Sequence, residues 1–150
     1  MIEWQWQAFK DMAVADLYQV LYHRQQVFVL EQQCLYPDID QFDQDAHHLT
    51  AWIDQDGKRE LAACLRVIAP GVKYTEMSLG RILSTQAARG TGVGRQLVAK
   101  GIEHAQALYP GHACRIGAQQ YLERFYGSFG FKTVSEPYDE DGIMHVEMVR

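Results

Sequence analysis

The sequence predicts one mixed α/β domain, and three observations carry that expectation. Short segments alternating apolar and polar residues are interleaved with stretches whose apolar residues recur every three or four positions. A glycine-rich turn, Arg89-Gly90-Thr91-Gly92-Val93-Gly94, joins an extended apolar segment (Leu79 to Leu83) to a helical stripe starting near Leu97. A chain of 150 residues, 47% hydrophobic and 22% charged, suits a single domain that buries a real core.

Taken in order, Ile2 to Phe9 alternates Ile2, Trp4 and Trp6 with Glu3, Gln5 and Gln7, the pattern of a half-buried strand. Asp11 precedes a helical pattern and is placed to cap it. The stripe runs Leu17, Val20, Leu21, Arg24 and Phe28, with Glu31 one step further. A charge on a buried face is costly unless paired. Arg24 is therefore either a structural ion pair, with Glu31 or a nearby aspartate, or part of a solvated pocket together with Glu31. Gln32 to Asp45 reads as a solvated acidic loop; its aspartates lack the spacing and bidentate glutamate of a calcium loop. His47-His48 opens a strand over Leu49 to Ile53, where adjacent histidines point to opposite faces and make a poor metal pair. Asp56-Gly57 is a hairpin turn into the strand Glu60 to Ile68, and Met77 to Ser84 is the strand feeding the glycine loop. The following helix carries Leu97, Val98, Gly101, Ile102, Ala105 and Leu108 and stops at Pro110-Gly111. Cys114 to Ala118 is a strand, Tyr121 to Phe129 a helix ended by Gly130, and Phe131 to Val134 with Ile143 to Val149 a closing antiparallel pair. The order is β-α-β-β-β-α-β-α-β-β.

Composition narrows the function. Cys34, Cys64 and Cys114 are odd in number and widely spaced, which points to reduced cytoplasmic thiols rather than disulfides or a metal site. A net charge of −5 without a basic run argues against a nucleic-acid partner. No apolar run reaches membrane-spanning length, and Met1-Ile2-Glu3-Trp4 lacks the basic start of a secretory signal, so a cytoplasmic protein is expected.

The glycine loop is the strongest chemical signal. Glycines let backbone N–H groups approach a ligand, and the first turn of the following helix presents unpaired N–H groups and the positive end of its dipole. That is an anion site suited to phosphate. The third glycine of a dinucleotide fingerprint would fall at Arg95, and a Walker loop would need Lys-Ser/Thr where Arg95-Gln96 stand.

The loop, read as R-x-x-G-x-G at Arg89, Gly92 and Gly94, resembles the pyrophosphate loop of the GNAT superfamily of N-acetyltransferases. Tyr126-Gly127-Ser128-Phe129-Gly130-Phe131 resembles the Y-x-x-x-G-F segment of the same enzymes, in the expected order downstream. The similarity spans the whole chain and is closer still to ElaA-like acetyltransferases. There it rests on Arg24-Gln25-Gln26-Val27-Phe28-Val29-Leu30-Glu31-Gln32, Cys34, Tyr36, Asp38 and Asp40, Gly80-Arg81, Gly117-Ala118-Gln119 and Asp139 to Ile143. This resemblance implies a central, mostly antiparallel mixed sheet of about seven strands with helices on both faces.

It also implies acetyl-CoA as co-substrate and direct acetyl transfer to a primary amine of a small molecule or peptide. Ile82, Leu83 and Ser84 would pair with the pantetheine arm, and Arg89, Gly90, Thr91, Gly92, Val93, Gly94 and Arg95 would hold the pyrophosphate. The Leu83 N–H would polarise the thioester carbonyl, and Tyr126 would protonate the departing thiolate. Independently of the resemblance, Arg24 and Arg81, charges in otherwise apolar elements, suggest an acceptor or ligand with a carboxylate, and Phe28 and Glu31 are placed with them at the acceptor. Two departures stand out: the strand glutamate of many relatives falls near Gly80, and the asparagine after the fifth strand is Gln119. Glu31, Glu76, His48 and Glu147 are then the candidate bases. The resemblance brings no acceptor identity, and a homodimer is expected only because dimers are common in the superfamily. The competing functions are an acyl-CoA-binding sensor without turnover and an acyltransferase using longer chains, since the Arg24 to Val29 stretch is also similar to acyl-homoserine lactone synthases.

Overall fold

A computed structural model describes residues 1–150, and in it the alternating start forms strand β1 (Glu3–Ala8). Helix α1 (Val14–Arg24) follows. Asp11 does not cap it: the N-cap is Ala13, and Asp11 closes a short 3-10 turn in which its carbonyl accepts from Gln7 Nε2 at 3.2 Å. The helical stripe then continues in a different form. Residues Gln25–Glu31 are π-helical, with the Gln32 and Cys34 amides donating five residues back to Val27 and Val29 at 3.1 Å each. A π-turn holds more residues than an α-turn. Glu31 is thereby rotated off the face of Arg24, which the regular three-and-four stepping did not anticipate.

Strands β2 (His47–Gln55), β3 (Lys58–Ile68) and β4 (Ser78–Ser84) pair antiparallel in the order β1-β2-β3-β4. Helix α2 (Val93–Leu108) leads to β5 (Arg115–Gln119), then α3 (Glu123–Gly127), β6 (Lys132–Thr133), β7 (Tyr138–Glu140) and β8 (Ile143–Val149). β5, β6 and β7 all pair antiparallel with β8. The expected single sheet of seven strands is thus eight strands in two four-stranded sheets. β7 is the strand the pattern did not reveal: the chain leaves the ladder at Ser135 to Pro137, and the Ser135 hydroxyl accepts the Glu147 N–H at 2.8 Å there. Proline has no N–H to offer a ladder, so one edge is broken into β6 and β7.

The first sheet carries helices on both faces. Leu49, Ala51, Ala63, Leu65, Val67 and Leu79 pack with Leu97, Val98, Ile102 and Ala105 of α2 in the larger core. Trp52, Leu61, Cys64 and Leu83 meet Val20 of α1 in the smaller one. No helix is long and apolar enough to cross a membrane.

On the α1 side the sheet buries charge as well. Arg24, 1% exposed, does not reach Glu31; Nε donates to Asp38 at 2.9 Å and Nη1 to Asp43 at 2.6 Å. Arg66, also 1% exposed, donates to Asp40 at 2.6 and 2.7 Å and to Asp43 at 3.0 Å. Arg81 lies 2.8 Å from Asp38 and 3.1 Å from Asp40. The segment expected to be a solvated acidic loop is instead the counter-charge of this cluster, with Asp38 and Asp43 buried. Periodicity cannot show this, because the three arginines come from α1, β3 and β4.

Two outcomes follow from the cluster. Removing one partner of a buried ion pair leaves the other uncompensated, at about 3–5 kcal/mol. Arg24→Met should therefore lower the urea midpoint markedly, and an unchanged melt would show that the pairs contribute nothing. Burial pushes the Asp40 carboxyl up, but Arg66 and then Arg81 outweigh it and bring the pKa from 3.8 down to about 2. Asp43 is lowered too, Arg24 and Arg66 overcoming its burial. A carboxyl with a folded pKa below its unfolded value stabilises fully above the unfolded value and loses that contribution as pH falls through the folded one. Denaturant melts should show stability falling between about pH 4 and about pH 2, and falling less in Asp40→Asn.

Candidate active site

β4 and β5 run parallel but share one bridge, at Met77 and Cys114, where Met77 N–H donates to Ala113 at 3.1 Å and Arg115 N–H to Met77 at 2.8 Å. Beyond it each strand is paired on its far edge only, β4 with β3 and β5 with β8. β4 also carries a bulge: Gly80 faces Arg66 and Leu83 faces Cys64, so Arg81 and Ile82 share the single position opposite Leu65. Arg81 takes φ +50°, a left-handed conformation that costs a residue with a side chain. Its salt bridges to Asp38 and Asp40 hold it there. A cavity of about 740 Å³ opens between the parted strands.

Phe28, Glu31, Arg81, Ile82, Leu83, Ser84, Arg89, Gly94, Gln119 and Tyr126, all expected at the site, line this cavity. Leu83 needs a correction, however. Thr85 N–H donates to Ala62 at 2.8 Å and Leu83 faces Cys64, so alternation directs the Leu83 N–H to β3 as well. Ser84, one residue on, addresses the gap, and the bulge frees the backbone at Ile82. Gly80 lines the cavity, and a Cβ there would meet nothing, so the place of the missing strand carboxylate does face the site.

The glycine loop forms as its composition requires. Gly90 and Gly92 have φ of +79° and +82°, and Gly92 is the N-cap of α2 with no side-chain cap over the first turn. The first α2 amide to find its backbone partner is Gln96, donating to Gly92, which leaves the N–H groups of Val93, Gly94 and Arg95 for an anion. A Cβ on Gly94 would meet no protein atom. Gly90, Thr91, Gly92 and Val93 do not line the cavity themselves, and Val93 is a buried core residue. Arg95 turns away to Ser128 Oγ at 3.0 Å and over the Phe129 ring, tying α2 to α3.

Arg89 forms a two-point ion pair with Glu31, at 2.6 and 2.8 Å, across the cavity mouth. This contact holds the Glu31 carboxyl below its ordinary value, which weakens Glu31 as a base. The other three expected bases are no freer. Glu76 lies 3.7 Å from Arg115, Glu147 accepts from Arg115 and the Tyr138 hydroxyl, and His48 is buried against the Asp43 carbonyl. Arg24, buried and fully engaged, does not line the cavity, so its expected acceptor contact is withdrawn.

Tyr126 sits at the wall with its ring edge-on to Phe125 and Phe131, and burial pushes its phenol above the ordinary range. Gln119 bridges the gap to Gln32 at 3.2 Å. Sequence reasoning missed the opposite wall, formed by Lys73, Tyr74, Tyr138, Glu140 and His145. His145 stands on β8 opposite both Gln119 and Tyr138, with Nδ1 2.7 Å from the Ile143 carbonyl and Nε2 3.4 Å from Glu140. Gly117 packs closely here: a Cβ would lie 3.1 Å from the Glu147 carboxylate and 3.3 Å from the Tyr138 hydroxyl, and those side chains would have to shift to admit it. The unread strand β7 brings Tyr138 and Glu140 to the site, which is why no local pattern announced them.

A parted strand pair beside a glycine-started helix can be compared with known proteins. The model of the acetyltransferase (GNAT) domain matches residues 19–150. The chain belongs to the GNAT family. Among GNAT relatives, a UPF0039 protein of Synechocystis is 40% identical over 148 residues, covering 99% of this chain and 94% of that one. The ElaA protein of Escherichia coli is 40% identical over 152 residues, covering 100% and 97%. The crystal structure of an acyl-CoA N-acyltransferase from Pseudomonas aeruginosa superposes with a TM-score of 0.92 at 38% identity, covering 100% of this chain and 99% of that one. That of E. coli ElaA gives 0.90 at 39%, with the same coverage. The GNAT fold and its acyl-CoA-binding character thus agree with the cavity.

Gly94→Val adds bulk only where a ligand approaches the α2 turn. It should leave the fold within about 1 kcal/mol and weaken CoA binding by calorimetry; undiminished affinity would remove the loop from the site. Glu31→Gln should release Arg89 and tighten CoA binding by up to about fivefold, the worth of an exposed ion pair. Weaker binding would instead make Glu31 a ligand contact, and lost turnover at unchanged affinity would restore it as a base.

Proposed function

We propose that the protein is an acetyl-CoA-dependent N-acetyltransferase that acylates a primary amine by direct transfer. One observation carries this reading: the bulged edge of β4, the uncapped start of α2 and Tyr126 all border a single cavity. The residues present fit acyl-CoA. Free amides of the first α2 turn would take its pyrophosphate, and the unpaired edge at Ile82 and Ser84 would pair with its amide-bearing arm as an added strand does.

Acyl-CoA supplies an acyl thioester there. The amine nitrogen forms a C–N bond to the acyl carbon while the C–S bond breaks. A backbone N–H at the Ile82 bulge polarises the carbonyl. Tyr126 gives its proton to the departing sulfur, and its raised pKa keeps it protonated and ready to do so. With Nδ1–H donating to the Ile143 carbonyl, His145 Nε2 is the acceptor for the proton that the nitrogen loses. Water returns that proton to the phenolate, so the products are an amide and a thiol. A cytoplasmic setting belongs to this reading, since Cys34, Cys64 and Cys114 are free and buried.

Gly80, where relatives place a carboxylate, favours a second reading in which acyl-CoA is bound and not turned over. Tyr126→Phe tests both. Its hydroxyl owes none of its pKa shift to a protein hydrogen bond, so the melting temperature and CoA affinity should hold. The turnover number should fall by about 10²–10⁴. A stable variant with full activity makes water the proton donor. A wild-type protein that binds acetyl-CoA but releases no thiol with any amine leaves the sensor.

A further inference from the structure

The arginine–aspartate cluster is electrically closed, Arg24, Arg66 and Arg81 standing against Asp38, Asp40 and Asp43. Three charged groups on the adjoining cavity wall, Lys73, Glu140 and Asp141, lie outside that balance. One is Lys73, which forms no ion pair. Its Nζ lies 6.0 Å from the Phe42 ring and 5.5 Å from that of Tyr74. Phe42 also carries the Arg66 guanidinium at 5.9 Å, so the ammonium sits at the arginine side of the cavity. Partial burial, and then repulsion from Arg66 and Arg81, lowers the Lys73 pKa against the opposing pull of Asp40 and Glu140. Arg66 adds a buried Nε–H with no acceptor. Of the two carboxylates, that of Glu140 stands 3.4 Å from the His145 ring and acts through space on Lys73. Both Lys73 and Glu140 line the cavity.

A wall with a cation in no ion pair and a carboxylate beside a histidine complements a ligand carrying both signs. We propose that the acceptor is a free amino acid, its carboxylate held by Lys73 and its amino group turned to Glu140 and His145. This deepens the N-acetyltransferase reading and rests on it. The ammonium form is held by Glu140 and releases one proton to bulk water to give the nucleophilic amine, and the second proton, lost as the C–N bond forms, goes to His145 Nε2. Arg81, expected to bind the acceptor, acts here as scaffold: Nη2 donates to the Asp38 carbonyl and to Asp40, Nε lies 2.8 Å from the Asp38 carboxylate, and Lys73 takes the ligand carboxylate instead.

The test pairs free amino acids with their α-amides, which keep the amine and lose the carboxylate. Thiol release with acetyl-CoA and binding to the CoA-saturated protein by calorimetry are both read. Wild type should prefer the acid of the best pair by about 10- to 100-fold, the worth of a hydrogen bond to a charged group. Lys73→Gln should erase that preference by weakening the acid alone, while Tyr126→Phe should keep the binding preference. Equal use of acid and amide, or a preference unchanged in Lys73→Gln, overturns the inference and leaves acyl transfer standing. Acid-selective binding without thiol release upholds the carboxylate site and overturns the transferase reading. Absence of binding and of turnover with every free amino acid overturns the inference.

Discussion

The parting of β4 from β5 is the constraint on which the rest depends. Two parallel strands joined at one bridge would ordinarily zip further, because unpaired backbone groups inside a protein are expensive. Here the β4 edge is irregular: the bulge at Arg81 and Ile82 breaks the alternation that a regular ladder with β5 would need. The cavity, the freed backbone at Ile82 and the placement of Tyr126 all follow from a join that stops after one rung.

The bulge in turn needs the ion cluster. A left-handed arginine is strained, and it persists because Asp38 and Asp40 hold its head group. Those aspartates are fixed by Arg24 and Arg66 in neighbouring elements. Buried ion pairs are poor sources of net stability, but they are strict about geometry. In this fold the strictness shapes the cavity wall.

Much of the fold was legible in the sequence, for identifiable reasons. β2, β3, β8 and α2 carry unbroken periodicity, and the glycine loop announces itself because few other residues take its backbone angles. The segments that misled are those where periodicity lapses. The π-helix over Gln25–Glu31 shifted Glu31 from Arg24 to Arg89. Pro137 hid β7, and with it Glu140, while His145 sat unnoticed in a strand correctly placed. The glycine loop expected for the cofactor was legible, whereas the acceptor-side wall of Lys73, Tyr138, Glu140 and His145 was not. Local backbone chemistry specifies the former, whereas the latter is assembled from the β4 approach, β7 and β8, contacts far apart in sequence. Leu83 illustrates the finer limit: the strand was right, but a bulge decides which N–H faces which way.

The two open edges inside the cleft also bear on how the protein behaves towards other chains. An unpaired strand edge on a surface invites foreign strands and aggregation. Here the edges of β4 and β5 face each other across the cavity, which Val27, Phe28, Tyr138 and Ile143 also line. A flexible ligand that enters the cleft meets those edges directly, whereas a neighbouring protein meets them only through the mouth of the cavity. The molecule keeps the adhesive property of a free β-edge for its ligand while withholding it from its neighbours.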